Sequence, residues 1–182
     1  MCLVPYYRIN QNQYILKYFY NQITFALFLI FTINLNAQIA FTEDTSVPFS
    51  DVFLSDAAFA DVDGDGYQDV LITGYDQVAL TIIAKLYLND GTGSFSEVIG
   101  TSFIPTYMSS ISFADINNDG SQDVLITGKL PSNLASTELY LNDGVGNFTL
   151  VVGDGIVDIQ FGETAFADVN GDGNLDLMLT GS

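Results

Sequence analysis

The chain has 182 residues, with 22 acidic and 4 basic side chains, a net charge of −18, no histidine and a single cysteine. So acidic a chain is repelled by nucleic acid and by anionic membrane surfaces. With no histidine and no thiol beyond Cys2, the usual nucleophile-and-base pairs are missing. The carboxylate pairs a glycosidase would need occur only in turns and in the loops described below, so the chain reads as a binding module and not an enzyme. These residues say nothing about an enzymatic domain elsewhere in a longer protein.

Residues 1–37 read as a signal peptide. Arg8 and Lys17 precede an uncharged apolar run over 23–35, and Asn36-Ala37-Gln38 follows, which predicts cleavage after Ala37. As a helix that run would span about 20 Å against a hydrocarbon core of about 30 Å, so a permanent anchor is the weaker reading. Cleavage removes Cys2, Arg8 and Lys17 and leaves Lys85 and Lys129 against all 22 carboxylates. The expected location is secreted or cell-surface, with no membrane insertion after cleavage. Residues 38–55 have weak strand character. Phe41-Thr42-Glu43 aligns at the repeat shift with Phe95-Ser96-Glu97, so it is expected as a stray fourth strand able to close a last blade.

The stretch Asp61-Val-Asp63-Gly-Asp65-Gly66-Tyr67-Gln-Asp69 then occurs three times. It returns as Asp115-Ile-Asn117-Asn-Asp119-Gly120-Ser121-Gln-Asp123 and as Asp168-Val-Asn170-Gly-Asp172-Gly173-Asn174-Leu-Asp176. Oxygen-bearing side chains stand at positions 1, 3, 5 and 9, and glycine at position 6. Alternate residues of a tight turn can aim oxygens at one point, which suits calcium with its six to eight oxygen ligands at about 2.3–2.6 Å. Asp, Asn and Gly are also ordinary turn residues. Turn chemistry alone, however, does not require Asp at positions 1, 5 and 9 in all three copies. The first loop carries four carboxylates and the others three, so the first is expected to bind tightest. Position 12 holds Ile72, Ile126 and Leu179 where an EF-hand needs a bidentate Glu, which excludes that motif.

Each loop runs into an apolar segment closed by glycine: Asp69-Val-Leu-Ile-Thr-Gly74, Asp123-Val-Leu-Ile-Thr-Gly128 and Asp176-Leu-Met-Leu-Thr-Gly181. The β-branched content predicts strands. Leu86-Tyr-Leu-Asn-Asp90-Gly and Leu139-Tyr-Leu-Asn-Asp143-Gly predict hairpins. The loops lie 54 and 53 residues apart and the hairpins 53 apart. Four strand signals per unit at such a period mark all-β propeller blades of four antiparallel strands. Strands are predicted near 56–61, 69–74, 84–89 and 94–99, and again near 110–115, 123–128, 137–142 and 147–152. The blades fall near 56–109 and 110–163, with part of a third over 164–182.

Through these motifs the region 56–182 resembles the FG-GAP and VCBS repeats of integrin-like, calcium-binding propellers. Phe161-Gly162 resembles the eponymous Phe-Gly pair, while Met108-Ser109 stands there in the second unit. The resemblance implies a usually seven-bladed propeller, of which this chain would be a fragment. It also implies about three Ca2+ sites held between the first two strands of each blade. Carried over by position, the ligands are the side chains of Asp61, Asp63, Asp65 and Asp69, of Asp115, Asn117, Asp119 and Asp123, and of Asp168, Asn170, Asp172 and Asp176. The carbonyls of Tyr67, Ser121 and Asn174 complete each shell. The implied function is adhesion, or recognition of an extracellular protein or glycan, with calcium in a structural role. Alternatives are a lectin-like or polysaccharide-processing propeller and a non-catalytic part of a larger secreted enzyme. Recognition is expected on the face opposite the loops, with Tyr75, Asp76, Gln77, Tyr107 and Met108 as contacts and Tyr75, Tyr107 and Asn133 as sugar-facing candidates.

Overall fold

A computed structural model describes residues 40–182 and the backbone of Tyr7–Ile9. The rest of the predicted signal peptide lies outside the described residues. One compact unit covers Pro5–Ser46 and a second includes Val47–Ser182. In the first, β1 (Tyr7–Ile9) pairs antiparallel with β2 (Phe41–Glu43), which is the strand expected to serve as a stray fourth strand. Among the described residues there is no helix, hence none long and apolar enough to cross a membrane.

The second unit is built from consecutive antiparallel meanders. The first sheet has β3 (Val52–Ala60), β4 (Asp69–Asp76), β5 (Thr81–Asn89) and β6 (Phe95–Glu97) in that spatial order. The second repeats it with β7 (Tyr107–Ala114), β8 (Asp123–Lys129), β9 (Ala135–Asn142) and β10 (Phe148–Leu150). A third begins with β11 (Glu163–Ala167) and β12 (Asp176–Thr180). First strands of successive sheets lie side by side. The Ile111 N–H donates to Asp56 Oδ2 at 2.7 Å, and Ser112 Oγ donates to the Thr164 carbonyl at 3.0 Å. Stacked four-stranded meanders whose first strands adjoin are propeller blades.

Period-2 alternation gives each sheet two unlike faces. In the second sheet Phe113, Val124, Ile126, Tyr140 and Phe148 share one face, and they pack on Ala58, Ala60, Leu71, Ala84 and Leu86 of the first. An aromatic face therefore seats on an aliphatic one. Phe103 makes an edge contact with Tyr140 at 5.1 Å and a tilted one with Phe148 at 4.9 Å. Phe49 repeats this in the first sheet against Tyr87 at 5.1 Å and Phe95 at 4.9 Å. Such ring pairs contribute about 0.5–1.5 kcal/mol each beyond area burial. Phe49 shows that the repeat reaches into the segment of weak strand character. Phe59 lies half-exposed at the rim of the first sheet's aromatic face.

The first strands begin earlier than the alternation predicts, at Val52 and Tyr107 instead of near 56 and 110. A register shift explains the difference, since pairing slips between Phe53 and Asp56 and between Tyr107 and Ser110. Leu54, Met108 and Phe161 occupy the same place in each repeat, all left-handed at φ 50°, 52° and 55°. Each bulge folds over the glycine that closes the neighbouring strand. A Cβ on Gly74 would meet Ser55 Cβ at 2.5 Å, and one on Gly128 would meet the Tyr107 carbonyl oxygen at 2.9 Å. In the third unit a Cβ on the closing Gly181 would meet the Gln160 carbonyl oxygen at 2.9 Å, and a Cβ on Gly162, the residue after the bulge, would run into the Thr180 carbonyl oxygen. That accounts for the Phe-Gly pair.

Gly74→Ala is expected to lower metal-free stability by about 2–4 kcal/mol through strain and overpacking. Gly66→Ala, whose added Cβ would meet nothing within 4 Å, should lose only about 1–2 kcal/mol. Urea denaturation of the two variants checks the order.

Candidate metal centre

The three loops share one hydrogen-bond scheme. Asp61 Oδ1 and Oδ2 accept the N–H groups of Gly64 and Gly66, both at 2.9 Å. Asp63 Oδ1 accepts from Asp65 at 3.2 Å, and Asp65 Oδ1 from Tyr67 at 2.8 Å. In the second loop Asp115 takes Asp119 and Gly120, Asn117 takes Asp119, and Asp119 takes Ser121, all at 2.8–2.9 Å. In the third, Asp168 takes Gly171 at 2.7 Å and Gly173 at 2.9 Å, while Asn170 takes Asp172 and Asp172 takes Asn174 at 2.8 Å. Each side chain thus folds back on a backbone N–H two to five residues ahead, which fixes the turn and directs its remaining lone pairs.

The structure gathers Asp61, Asp63 and Asp65, with one carboxylate oxygen of each within 4.8 Å of the others. Two oxygens on one calcium stand at most about 5.2 Å apart, so the donor set fits a hard cation. Asp69 lies outside that group. Among the described residues no other three acidic side chains come so close, so Asp115, Asp119 and Asp123 do not all converge, nor do Asp168, Asp172 and Asp176. Position 7 contributes the N–H groups described above; the carbonyls of Tyr67, Ser121 and Asn174 remain expectations.

Position 9 does something sequence reasoning did not see. Asp69 is fully buried; its Oδ2 accepts the Val62 N–H and its Oδ1 the Asn89 N–H, both at 2.9 Å. Asp123, also fully buried, accepts from Ile116 at 3.0 Å and Asn142 at 2.9 Å. Asp176 accepts from Val169 at 3.1 Å. In the two complete sheets one carboxylate therefore ties the loop's second residue to the end of the third strand. The Asn of each Asn-Asp-Gly hairpin is its partner, and the recurrence of that Asn was the available signal.

Among the described residues, charge in the loops is balanced by N–H dipoles of the backbone and of Asn side chains, with no basic side chain paired to a loop carboxylate. Lys85 pairs with Glu97 at 3.1 Å, and Lys129 lies 6.0 Å over the Tyr107 ring. The N–H groups of Ser121, Gly173 and Asn174, first among their partners, hold Asp119, Asp168 and Asp172 below the usual carboxylate range. Burial raises Asp69 above it, with the charges of Asp63 and Asp65 adding to the rise and the Asn89 and Val62 N–H groups opposing it. A cation among the loop carboxylates would relieve that repulsion.

The model of the FG-GAP-like repeat matches residues 61–126, from the first loop through the second. Over these residues the chain is similar to that repeat. A solved structure concerning specific recognition of non-reducing terminal N-acetylglucosamine by an Agrocybe aegerita lectin is similar at 21% identity and a TM-score of 0.48, over 69% of this chain and 32% of that chain. The chain thus spans about a third of that lectin's length. No curated protein matches.

Opposite the loops lie the turns between second and third strands. Tyr75 stacks edge-on against Phe53 at 5.2 Å, and the Tyr107 hydroxyl donates to Asn133 Oδ1 at 3.0 Å. Val78, Leu80 and Leu134, not singled out in the sequence, are exposed at the turn tips. One of the expected contacts, Asp76, needs correction. Met108 is the left-handed bulge residue, half-buried, and Asp76 is buried with Oδ1 accepting Val78 at 2.9 Å and Ala79 at 2.8 Å. Asp76 is thus the cap of its turn.

The Ala79 N–H, first, and then the Val78 N–H depress the Asp76 carboxyl below its ordinary value of 3.8 against the opposing effect of burial. Its contribution is therefore present above the unfolded value and is lost as pH falls through the depressed one. Asp76→Ala should cost about 1 kcal/mol at pH 7. The gap between wild type and variant should close as pH drops below 3.8, read by urea midpoints across pH.

Proposed function

We propose that this chain is a secreted or cell-surface recognition module in which calcium, bound at about three loops, stiffens one face of the blades while the other meets an extracellular protein or glycan. The observation that carries the reading is the convergence of Asp61, Asp63 and Asp65, with the same back-folded scheme in the second and third loops. The proposed ligands are the oxygens at positions 1, 3 and 5 with the position-7 carbonyl. Asp69, Asp123 and Asp176 keep free lone pairs, and their first task is to hold the loop to its sheet. The near-identical loops suit a structural ion. Recognition is assigned to the diverse turns, through Tyr75, Gln77, Val78, Leu80, Tyr107 and Leu134, because variation on a repeated scaffold is where specificity is easiest to build. Exposed apolar groups at those tips support this side.

Isothermal titration of the chain from Gln38 onward should give about three calcium ions, the Asp61 loop tightest, and Asp65→Ala should remove one. Saturating calcium should add about 2.7 kcal/mol of stability per site at a hundredfold excess over Kd, so a chelator should lower Tm. A titration without heat and a Tm indifferent to chelator would refute the calcium assignment.

A further inference from the structure

Asn142 makes more bonds than a hairpin residue needs. It is buried, its N–H reaches Asp123 Oδ1 at 2.9 Å, and its Oδ1 accepts Gly144 and Gly146 at 3.2 Å. Its Nδ2 donates at 3.1 Å to the Gln122 carbonyl of its own loop and at 2.8 Å to the Val62 carbonyl. Val62 is position 2 of the first loop, 80 residues earlier and in the preceding blade. The shorter of the two bonds thus crosses between blades. Val62 is itself fixed, buried in the core between the first two sheets and donating its N–H to Asp69. The second hairpin lies directly against the first loop, since a Cβ on Gly146 would sit 3.8 Å from Asp63 Cβ and 3.9 Å from Val62 Cγ2. In the first blade Asn89 has the corresponding bonds to Asp69, to the Gln68 carbonyl and to the Gly91 N–H, all within its own blade.

We propose that Asn142 is a positioning residue for the Asp61 loop, supplied by the neighbouring blade. The amide fixes the Val62 carbonyl between the first and third ligand positions, so the loop takes its liganding shape when the second blade is docked. One residue then serves two loops, its amide through Val62 in one, and its amide and backbone N–H through Gln122 and Asp123 in the other. The consequence for calcium rests on the proposed function; the positioning of the loop does not.

The test is hydrogen exchange by mass spectrometry on the full chain in chelator, followed by calcium titration. Asn142→Asp keeps the shape and the acceptor for Gly144 and Gly146 but loses both donors, and Asn142→Ala is the second variant. Exchange over 61–69 should accelerate about fivefold in both, as loss of one buried hydrogen bond implies, while β4 beyond Val70 stays unchanged. In a background of Asp119→Ala and Asp172→Ala, with only the first loop intact, Asn142→Asp should raise the calcium Kd about fivefold. Exchange over 61–69 unchanged within about twofold, or acceleration shared equally by β4, would overturn the proposal. Accelerated loop exchange in a parent that binds no calcium would support the positioning role and refute the calcium assignment instead.

Discussion

A buried carboxylate bonded to two backbone N–H groups holds each complete blade together at its loop end. Asp69 and Asp123 sit at the start of the second strand, fully buried, and each spreads its two oxygens over two backbone N–H groups. One N–H comes from the loop and one from the end of the third strand. A carboxylate so placed must be satisfied from both sides, because a buried donor left without its acceptor costs about 1–3 kcal/mol. The loop cannot move away from the hairpin without exposing that cost. Under the proposed function, a loop built on this anchor is shaped in part before an ion arrives, which lowers the ordering entropy that binding must overcome.

Stacking extends the anchor from one blade to the next. Each sheet has an aromatic and an aliphatic face, and the aromatic face of the second packs on the aliphatic face of the first. Polar bonds then fix the register between sheets: Asp56 with the Ile111 N–H, the Thr73 and Ser109 hydroxyls at 2.8 Å, and Asn142 with Val62. The hydrophobic term supplies most of the attraction and is indifferent to small slips. Directional bonds set the alignment. The loops, held at one end, present nearly the same surface in each repeat, and the turns at the other end are free to differ.

The parts visible in the sequence are those whose chemistry is local. The Asp loops, the strands Asp69–Asp76 and Asp123–Lys129, and the Asn-Asp-Gly hairpins each announce themselves within about ten residues, and recurrence at 53–54 residues assembled them into blades. The starts of the first strands were not legible, because the bulges at Leu54 and Met108 break the alternation and neither residue type signals a left-handed backbone. Phe49 was passed over in a polar segment, although Phe103 stands 54 residues on in the same role. Position 9 was read only as a ligand, since its partners Asn89 and Asn142 lie 20 and 19 residues away. Asp76 looked like a surface contact because a buried cap and an exposed acid have the same local sequence.

The most direct measurement of the central claim is the unfolding free energy of Asp123→Ala in the presence of chelator, where no ion can contribute. If the buried carboxylate anchors loop and hairpin, removing it strands two buried N–H groups and should cost about 2–4 kcal/mol by urea denaturation. A loss below about 0.5 kcal/mol, the size of an ordinary surface substitution, would contradict the account and leave Asp123 as a metal ligand alone.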